Sequence, residues 1–376
     1  QSVRLKVALA FPDLYEIGTS HFGLQILYSL LNARPEIAAE RVFAPDLDME
    51  AQLRRHRRPL MSLESKRPLD QFDIIGFSLL SELNYTTVLY MLDLARIPFR
   101  AEHREQCHPM VIAGGPCMFN PEPVADFFDA IVVGDGEEAI LAMADAWLVW
   151  QTEGGGDRKS LLQQWRGVAG VYIPAFYETT FDGKGLPHTA PRDWSRTGVR
   201  RAILSDLAKR PPPDDPIVPY GRPVHDRLRV EVARGCTRGC RFCQAGMIYR
   251  PVRERSLGNL LDYTTRALGN TGFDELSLLS LSTGDYSCIE PLMTRLGERF
   301  TRQHNAISLP SLRVDTLSDK MIDLIKSVRK TGFTMAPEAG SQRLRDVINK
   351  NIRQTEIFDT VRRVFEHGWR LIKLYF

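Results

Sequence analysis

Apolar positions in the first 150 residues fall in short continuous runs, and stretches with helical spacing separate them. The runs lie at Val3 to Phe11, Arg41 to Ala44, Phe72 to Ser78, Met110 to Ala113 and Ala130 to Val133. The helical stretches include Ser20 to Leu31 and Asn84 to Ile97. A strand covered on both faces has no polar side to alternate, so this rhythm predicts a parallel sheet between two layers of helices. Ligands of such sheets sit beyond the carboxyl ends of the strands. From Gln151 to Asp226 the rhythm breaks. Gly154-Gly155-Gly156 marks a loop, and Val171 to Phe181, turned by Asp182-Gly183-Lys184-Gly185, predicts a β-hairpin. Pro211-Pro212-Pro213 and Pro216 to Pro223 predict a stiff, extended connection.

The alternation returns at Arg227. Strands are expected at Leu228 to Ala233, Glu275 to Leu281, Ala306 to Arg313, Phe333 to Pro337 and Leu371 to Phe376, with a helix from Leu257 to Leu268 ending near Gly269-Asn270. The fold class expected is therefore α/β. Residues 1–150 form a Rossmann-like parallel sheet, 151–226 a connecting subdomain, and 227–376 a partial (βα)6 barrel whose site lies at the carboxyl ends of its strands.

Composition changes this picture little. Of 376 residues, 43% are hydrophobic and 25% charged, as in ordinary globular proteins. A net charge of +3 does not argue for nucleic acid, and the basic run Arg54 to Arg58 reads as a solvated helix face. With no membrane-length apolar run and no secretory signal, the expectation is a cytoplasmic protein without a membrane partner. The opening Gln1 and the strand-like ending Leu371 to Phe376, whose edge nothing follows to cover, read as a fragment of a longer chain.

The cysteines change it more. Cys107, Cys117 and Cys288 are scattered and read as small buried hydrophobes. Cys236, Cys240 and Cys243 crowd into Arg234-Gly235-Cys236-Thr237-Arg238-Gly239-Cys240-Arg241-Phe242-Cys243, directly after a strand. In a reducing compartment that crowding reads as metal ligation. Three thiolates at spacings of four and three can hold three corners of a four-iron, four-sulfur cubane, and the fourth iron keeps an open position, as catalytic sites do. Gly239 lets the loop curl, and Phe242 shields the cluster. The rival reading is a three-cysteine zinc scaffold. It lacks a nearby fourth ligand, because His225 precedes the strand.

This loop, with its aromatic residue before the third cysteine, resembles the radical S-adenosylmethionine (SAM) superfamily. The longer string from Glu231 to Pro251 resembles an incompletely characterised family with an N-terminal cobalamin-binding-type domain and a methylthiotransferase-like core. The resemblance implies a [4Fe-4S] cluster, SAM at its open corner, and reductive cleavage to a 5′-deoxyadenosyl radical. It also implies an external electron donor such as flavodoxin or ferredoxin. Residue by residue, Phe242 would pack on adenine. Gly284 and Asp285 match a turn that grips the SAM amino group, although the family's Gly-Gly-Glu-like pattern survives only there. Arg313 would pair with the SAM carboxylate. Glu338 and Ser341, in Glu338-Ala339-Gly340-Ser341, would bind hydroxyl or amino groups, with a helix cap as the alternative.

Corrinoid-binding domains carry an Asp-x-His-x-x-Gly loop, then Ser-x-Leu and Gly-Gly. The corresponding positions here are Asp13, Tyr15 and Gly18, then Ser78 and Leu80, then Gly114 and Gly115, with Gly134 completing the rim. Tyr15 stands where the ligating histidine would be, and a phenol with a pKa near 10 is a poor cobalt ligand. Cobalamin is thus expected, if held, without a protein histidine below its cobalt. The substrate is unnamed by the sequence. Corrinoid-dependent methyl transfer, methylthiolation of RNA, and a redox or zinc-binding scaffold without catalysis all stay open.

Overall fold

The computed structural model describes residues 2–192, 198–221, 223–300, 306–308, 313, 316, 318–328 and 333–376, apart from the side chains of 325–328 and 333. The chain divides into two compact units. One comprises Gln1–Leu204 with Pro219–Val224; the other comprises Ser205–Val218 with His225–Phe376. The stretch 151–226 is thereby shared between the two.

In the first unit, β1 (Leu5–Phe11), β2 (Ile37–Phe43), β3 (Ile74–Ser78), β4 (Met110–Gly114), β5 (Ala130–Val132) and β6 (Val171–Tyr172) form one sheet in the order β2-β1-β3-β4-β5-β6. All neighbours run parallel except β5 and β6. Helices α1 (Tyr15–Gly18), α2 (Phe22–Asn32), α3 (Leu47–Arg55), α4 (Tyr85–Leu94), α5 (Gly136–Thr152) and α6 (Arg158–Trp165) connect the strands. The central strand explains the unbroken apolar runs. Leu5, Val7 and Leu9 pack with Leu24 of α2 and Met143 of α5, while Ala8 and Ala10 pack on the opposite face with Val88, Met91 and Leu92 of α4. Neither face meets water, so neither can be polar. Strand order reverses between β1 and β3, which makes the crevice above their carboxyl ends the expected ligand position.

Several expectations shift. β2 begins at Ile37, and its outward positions Ala38 and Glu40 alternate with buried ones because it lies at the sheet edge. Val171–Tyr172 joins the main sheet through Ile131↔Tyr172. The hairpin itself is β7 (Tyr177–Phe181) with β8 (Pro187–Pro191), and Asp182 fixes its turn by accepting from the backbone N–H of Lys184 and Leu186. Cys107 is exposed, whereas Cys117 is buried, and burial, followed by the nearby charge of Glu82, pushes its thiol up to about 11.

The second unit contains β9 (Leu228–Glu231), β10 (Ala233–Arg234), β11 (Arg253–Glu254), β12 (Glu275–Leu279), β13 (Ala306–Ser308), β14 (Phe333–Met335) and β15 (Ile372–Leu374). Its helices are α7 (Ala245–Ile248), α8 (Leu257–Thr271), α9 (Ile289–Phe300), α10 (Asp319–Val328), α11 (Gln342–Val347) and α12 (Gln354–Glu366). Leu228, Val230, Leu276, Leu278 and Ile307 join Leu260 and Leu268 of α8 and Leu292 and Leu296 of α9 in one core. Among the described residues the strands make a parallel sheet β13-β12-β9 and a parallel pair β14-β15. The expected continuation of β13 through Ser311-Leu312 lies outside the described residues. Helix α8 runs past Gly269-Asn270 to Thr271 and stops at Gly272, whose φ of 72° supplies the left-handed cap. No helix among the described residues is long and apolar enough to cross a membrane.

Candidate cluster site

The cysteine loop leaves β9 and is closed at its base by a short antiparallel ribbon, β10 against β11, with Arg234 opposite Arg253. A buried carboxylate braces that base. Glu231 accepts from Arg234 (3.0 and 3.2 Å) and from Arg255 (3.1 Å), and Arg255 also donates to the carbonyl of Leu207. Two guanidiniums around one desolvated carboxylate make a rigid joint, because removing either partner leaves buried charge uncompensated.

The first residue of the loop has to be glycine. Gly235 adopts φ 99°, and a Cβ there would stand 2.6 Å from the carbonyl oxygen of Tyr249 and 2.8 Å from that of Pro251. Gly239 takes φ 71° between the first and second cysteines, and the N–H of Cys243 donates to the carbonyl of Cys240 (3.1 Å). All three cysteines are free thiols at intermediate exposure on this one loop. Among the described residues no three His, Cys, Asp or Glu side chains converge on a single ion. A cubane asks for one thiolate per iron, and three accessible thiols on a curled loop fit that donor set.

Residues from distant elements grip the loop. Arg238 lies between the first two cysteines and pairs with Asp285 through Nε (2.7 Å) and through Nη2. Ser282 donates to the same carboxylate (2.7 Å). Burial pushes the Asp285 carboxyl up, but the hydrogen bonds from Arg238 and Ser282 and the charges of Arg238 and Arg313 outweigh it, so the pKa falls below the ordinary value. Its stabilising contribution is therefore complete above the unfolded carboxylate value of about 3.9 and is lost as pH falls through the lower folded value. Asp285→Asn is expected to lower the melting temperature at neutral pH and to flatten its fall on acidification. A variant whose acid limb still parallels the wild type would show that Asp285 carries none of this dependence.

The other expected SAM contacts are distributed as follows. Gly284 sits in the turn after β12, where a Cβ would meet Thr316 Oγ1 at 2.1 Å, so close packing alone requires glycine. Phe242 is 55% exposed, a flat apolar ring beside the third cysteine. Arg313 donates to the carbonyl of Lys350 (2.9 Å). Glu338, in the turn after β14, stands at φ 67° and takes an ion pair from Lys350 Nζ (3.1 Å). Ser341 is the N-cap of α11, accepting from the N–H of Leu344 (3.3 Å), which is the alternative role weighed for it. Buried Arg345 holds the turn Glu338 to Ser341 by donating to the carbonyls of Ala339 and Gly340. The sequence reading missed Arg238, Asn349 and Lys350. The Asn349-Lys350-Asn351 string carried a usable signal, because both asparagines take left-handed backbone (φ 55° and 53°), which asparagine tolerates better than most residues.

In the first unit, the expected corrinoid positions do gather beyond the carboxyl ends of the strands. Asp13, Tyr15 and Gly18 follow β1, Ser78 and Leu80 end or follow β3, and Gly114, Gly115 and Gly134 follow β4 and β5. Three of their four glycines, however, make room for protein, and only Gly114, where a Cβ would meet nothing closer than 3.9 Å, stands clear. A Cβ on Gly18 would strike the rings of Phe11 and Phe43 (2.6 and 2.7 Å), on Gly115 the carbonyl of Leu79 (2.4 Å), and on Gly134 that of Ala202 (2.2 Å). Tyr15 packs edge-on against Phe43, and its hydroxyl accepts from the N–H of Tyr220 (2.9 Å). Around the same loops Ile17, Leu47, Met49, Leu80 and Leu83 are exposed, Leu47 by 77% and Leu83 by 87%, among the exposed carboxylates Glu16, Asp46, Asp48 and Glu82.

Comparison with known proteins bears on both units. A family model described as radical SAM proteins, N-terminal, matches residues 23–174, and one described as the radical SAM superfamily matches 230–375. The chain is 27% identical over 371 residues to uncharacterized protein MJ0966 of Methanocaldococcus jannaschii, covering 98% of this chain and 68% of that protein. Its fold is similar to that of TsrM from Kitasatospora setae, a radical SAM methyltransferase solved with its tryptophan substrate and a SAM analogue (TM-score 0.65, 12% identity, 99% of this chain and 67% of that one). It is similar also to OxsB, a cobalamin-dependent SAM radical enzyme solved with aqua-cobalamin and SAM (TM-score 0.62, 15% identity). The chain covers 49% of OxsB, about half its length.

Proposed function

The chain belongs to the radical SAM superfamily, and from that premise we propose that it cleaves SAM reductively at a [4Fe-4S] cluster held by Cys236, Cys240 and Cys243, with a corrinoid in the first unit as methyl carrier. The observation that carries the reading is the loop itself: three free thiols, two left-handed glycines and a braced base. When bound, the cluster supplies the electron that breaks a carbon–sulfur bond of SAM. The chain's own residues do the rest. The thiolates of Cys236, Cys240 and Cys243 would hold a cluster with three protein ligands, so that SAM could bind it directly. Phe242 offers its exposed ring to the adenine. Arg313, held by its bond to Lys350, offers a fork that matches a carboxylate. Wild-type protein reconstituted without oxygen should hold about four irons and four sulfides per chain. It should release 5′-deoxyadenosine under strong reductant, drawing on a low-potential donor protein in the cell.

For the corrinoid, support comes from the switch-point crevice and its rim of exposed apolar side chains, which suits the broad apolar face of a macrocycle. Methyl transfer is the reaction named for TsrM, and cobalamin is the cofactor bound in OxsB. Tyr15 gives this chain a phenol in place of the imidazole, so a bound cobalamin would receive no histidine from this loop. Enlarging Gly115 would test folding rather than binding, because its missing Cβ accommodates Leu79. Leu80→Asp with Leu83→Asp, both exposed, avoids that problem. Co-purification of added hydroxocobalamin should fall by about tenfold or more in the double variant, as expected when charge enters an apolar rim. Retention equal to the wild type would remove the corrinoid from the proposal.

A further inference from the structure

The segment that follows α11 closes on the cysteine loop at successive residues. The carbonyl of Ile348 accepts from the N–H of Arg241 (3.0 Å), and that of Val347 accepts from the Arg241 guanidinium. Asn349 Nδ2 donates to the carbonyl of Gly239 (2.8 Å). Lys350 Nζ stands 5.9 Å from the ring centroid of Phe242, the residue before Cys243. Lys350 is only 7% exposed, a rare position for a lysine unless its charge is matched. The match is Glu338, whose backbone is forced to φ 67° in the turn after β14 and anchored by its N–H to the carbonyl of Tyr375 (3.1 Å). Non-glycine residues keep such backbone where the surroundings over-determine it, and such positions cluster at functional sites. Helix packing alone does not ask for a buried lysine paired with a half-buried carboxylate against the cysteine loop.

We infer that Lys350 and Glu338 are positioning residues that set the reduction potential of the cluster, Lys350 favouring the reduced form and Glu338 restraining it. The inference rests on the cluster reading proposed above. One-electron reduction adds a negative charge to the cluster, and a partly desolvated cation beside the loop offsets it more strongly than one in water. The carboxylate acts with opposite sign and also limits where the ammonium can go. The side-chain amide of Asn349 and the backbone N–H of Arg241 tie the cysteine loop to the segment that carries Lys350, so loop and lysine are held together.

The test uses anaerobically reconstituted full-chain protein, with iron and sulfide content measured first and the cluster then titrated with Ti(III) citrate under EPR detection. Lys350→Met should make the potential more negative, Glu338→Gln should make it more positive, and Lys350→Arg should keep it near wild type. A tenfold change in the reduced-to-oxidised ratio at fixed donor potential, about 59 mV for one electron, is the expected scale. Shifts of the same sign in Lys350→Met and Glu338→Gln, or no shift in either, would reduce the pair to a structural brace and overturn the inference, while the cluster reading survives on the iron content. Failure of the wild type to load iron would instead remove the cluster reading, and this inference with it.

Discussion

Cys240→Ala is expected to strip the protein of its cluster and to take deoxyadenosine release to background. The second cysteine is held at the tip of the loop by its own carbonyl, which accepts from Cys243, and by Gly239 next to it, which Asn349 grips. No other described thiol stands on this loop to replace it, since Cys117 is buried in the first unit's core and Cys107 and Cys288 lie far along the chain. Loss of a group that only orients a metal ligand typically costs 10- to 100-fold in affinity or activity, so loss of a ligand should exceed about 100-fold. The checks are iron and sulfide analysis together with product release under strong reductant. Deoxyadenosine formation that survives the substitution would count against the assignment of all three cysteines.

The second large effect is expected at a residue that binds nothing. Gly235→Ala places a methyl group against two backbone carbonyls at 2.6 and 2.8 Å and forces alanine to φ 99°. Backbone held in such a region costs on the order of 1–3 kcal/mol, and here neither carbonyl belongs to a flexible side chain that could turn away. The loop can relieve this only by opening its base, where β10 pairs with β11. Iron incorporation should therefore fall sharply, while the first unit keeps its own core and its own unfolding transition. Calorimetry can separate the two. Normal iron content with both transitions unchanged would show that the loop base tolerates a side chain.

How far the sequence reached depends on where each property is encoded. Continuous apolar runs announced the parallel strands because burial on two faces leaves its mark at every position, as Val7 and Ala8 illustrate on opposite sides of β1. The cysteine loop was legible because thiolate chemistry is carried by residue identity and spacing within ten positions. What holds that loop was not legible. Arg238 and Asp285 stand 47 residues apart, and Asn349 reaches Gly239 across 110. Such pairs are created by the packing of distant elements, and neither partner looks unusual in its own surroundings. Glycines misled for a related reason. Gly115 and Gly134 signal a close approach, but a sequence does not say to what, and the approaching atoms are the carbonyls of Leu79 and Ala202. The end of α8 shows the same limit on a smaller scale, since Gly269 stays helical and the left-handed stop falls to Gly272.

Electron paramagnetic resonance of the reduced, oxygen-free protein, recorded with and without SAM, tests the central claim most directly. The account predicts the signal of a reduced four-iron cluster that changes on addition of SAM, because the cofactor enters the coordination sphere of the one iron left open. A protein that stays silent while metal analysis finds one zinc per chain, or a cluster signal indifferent to SAM, would contradict it.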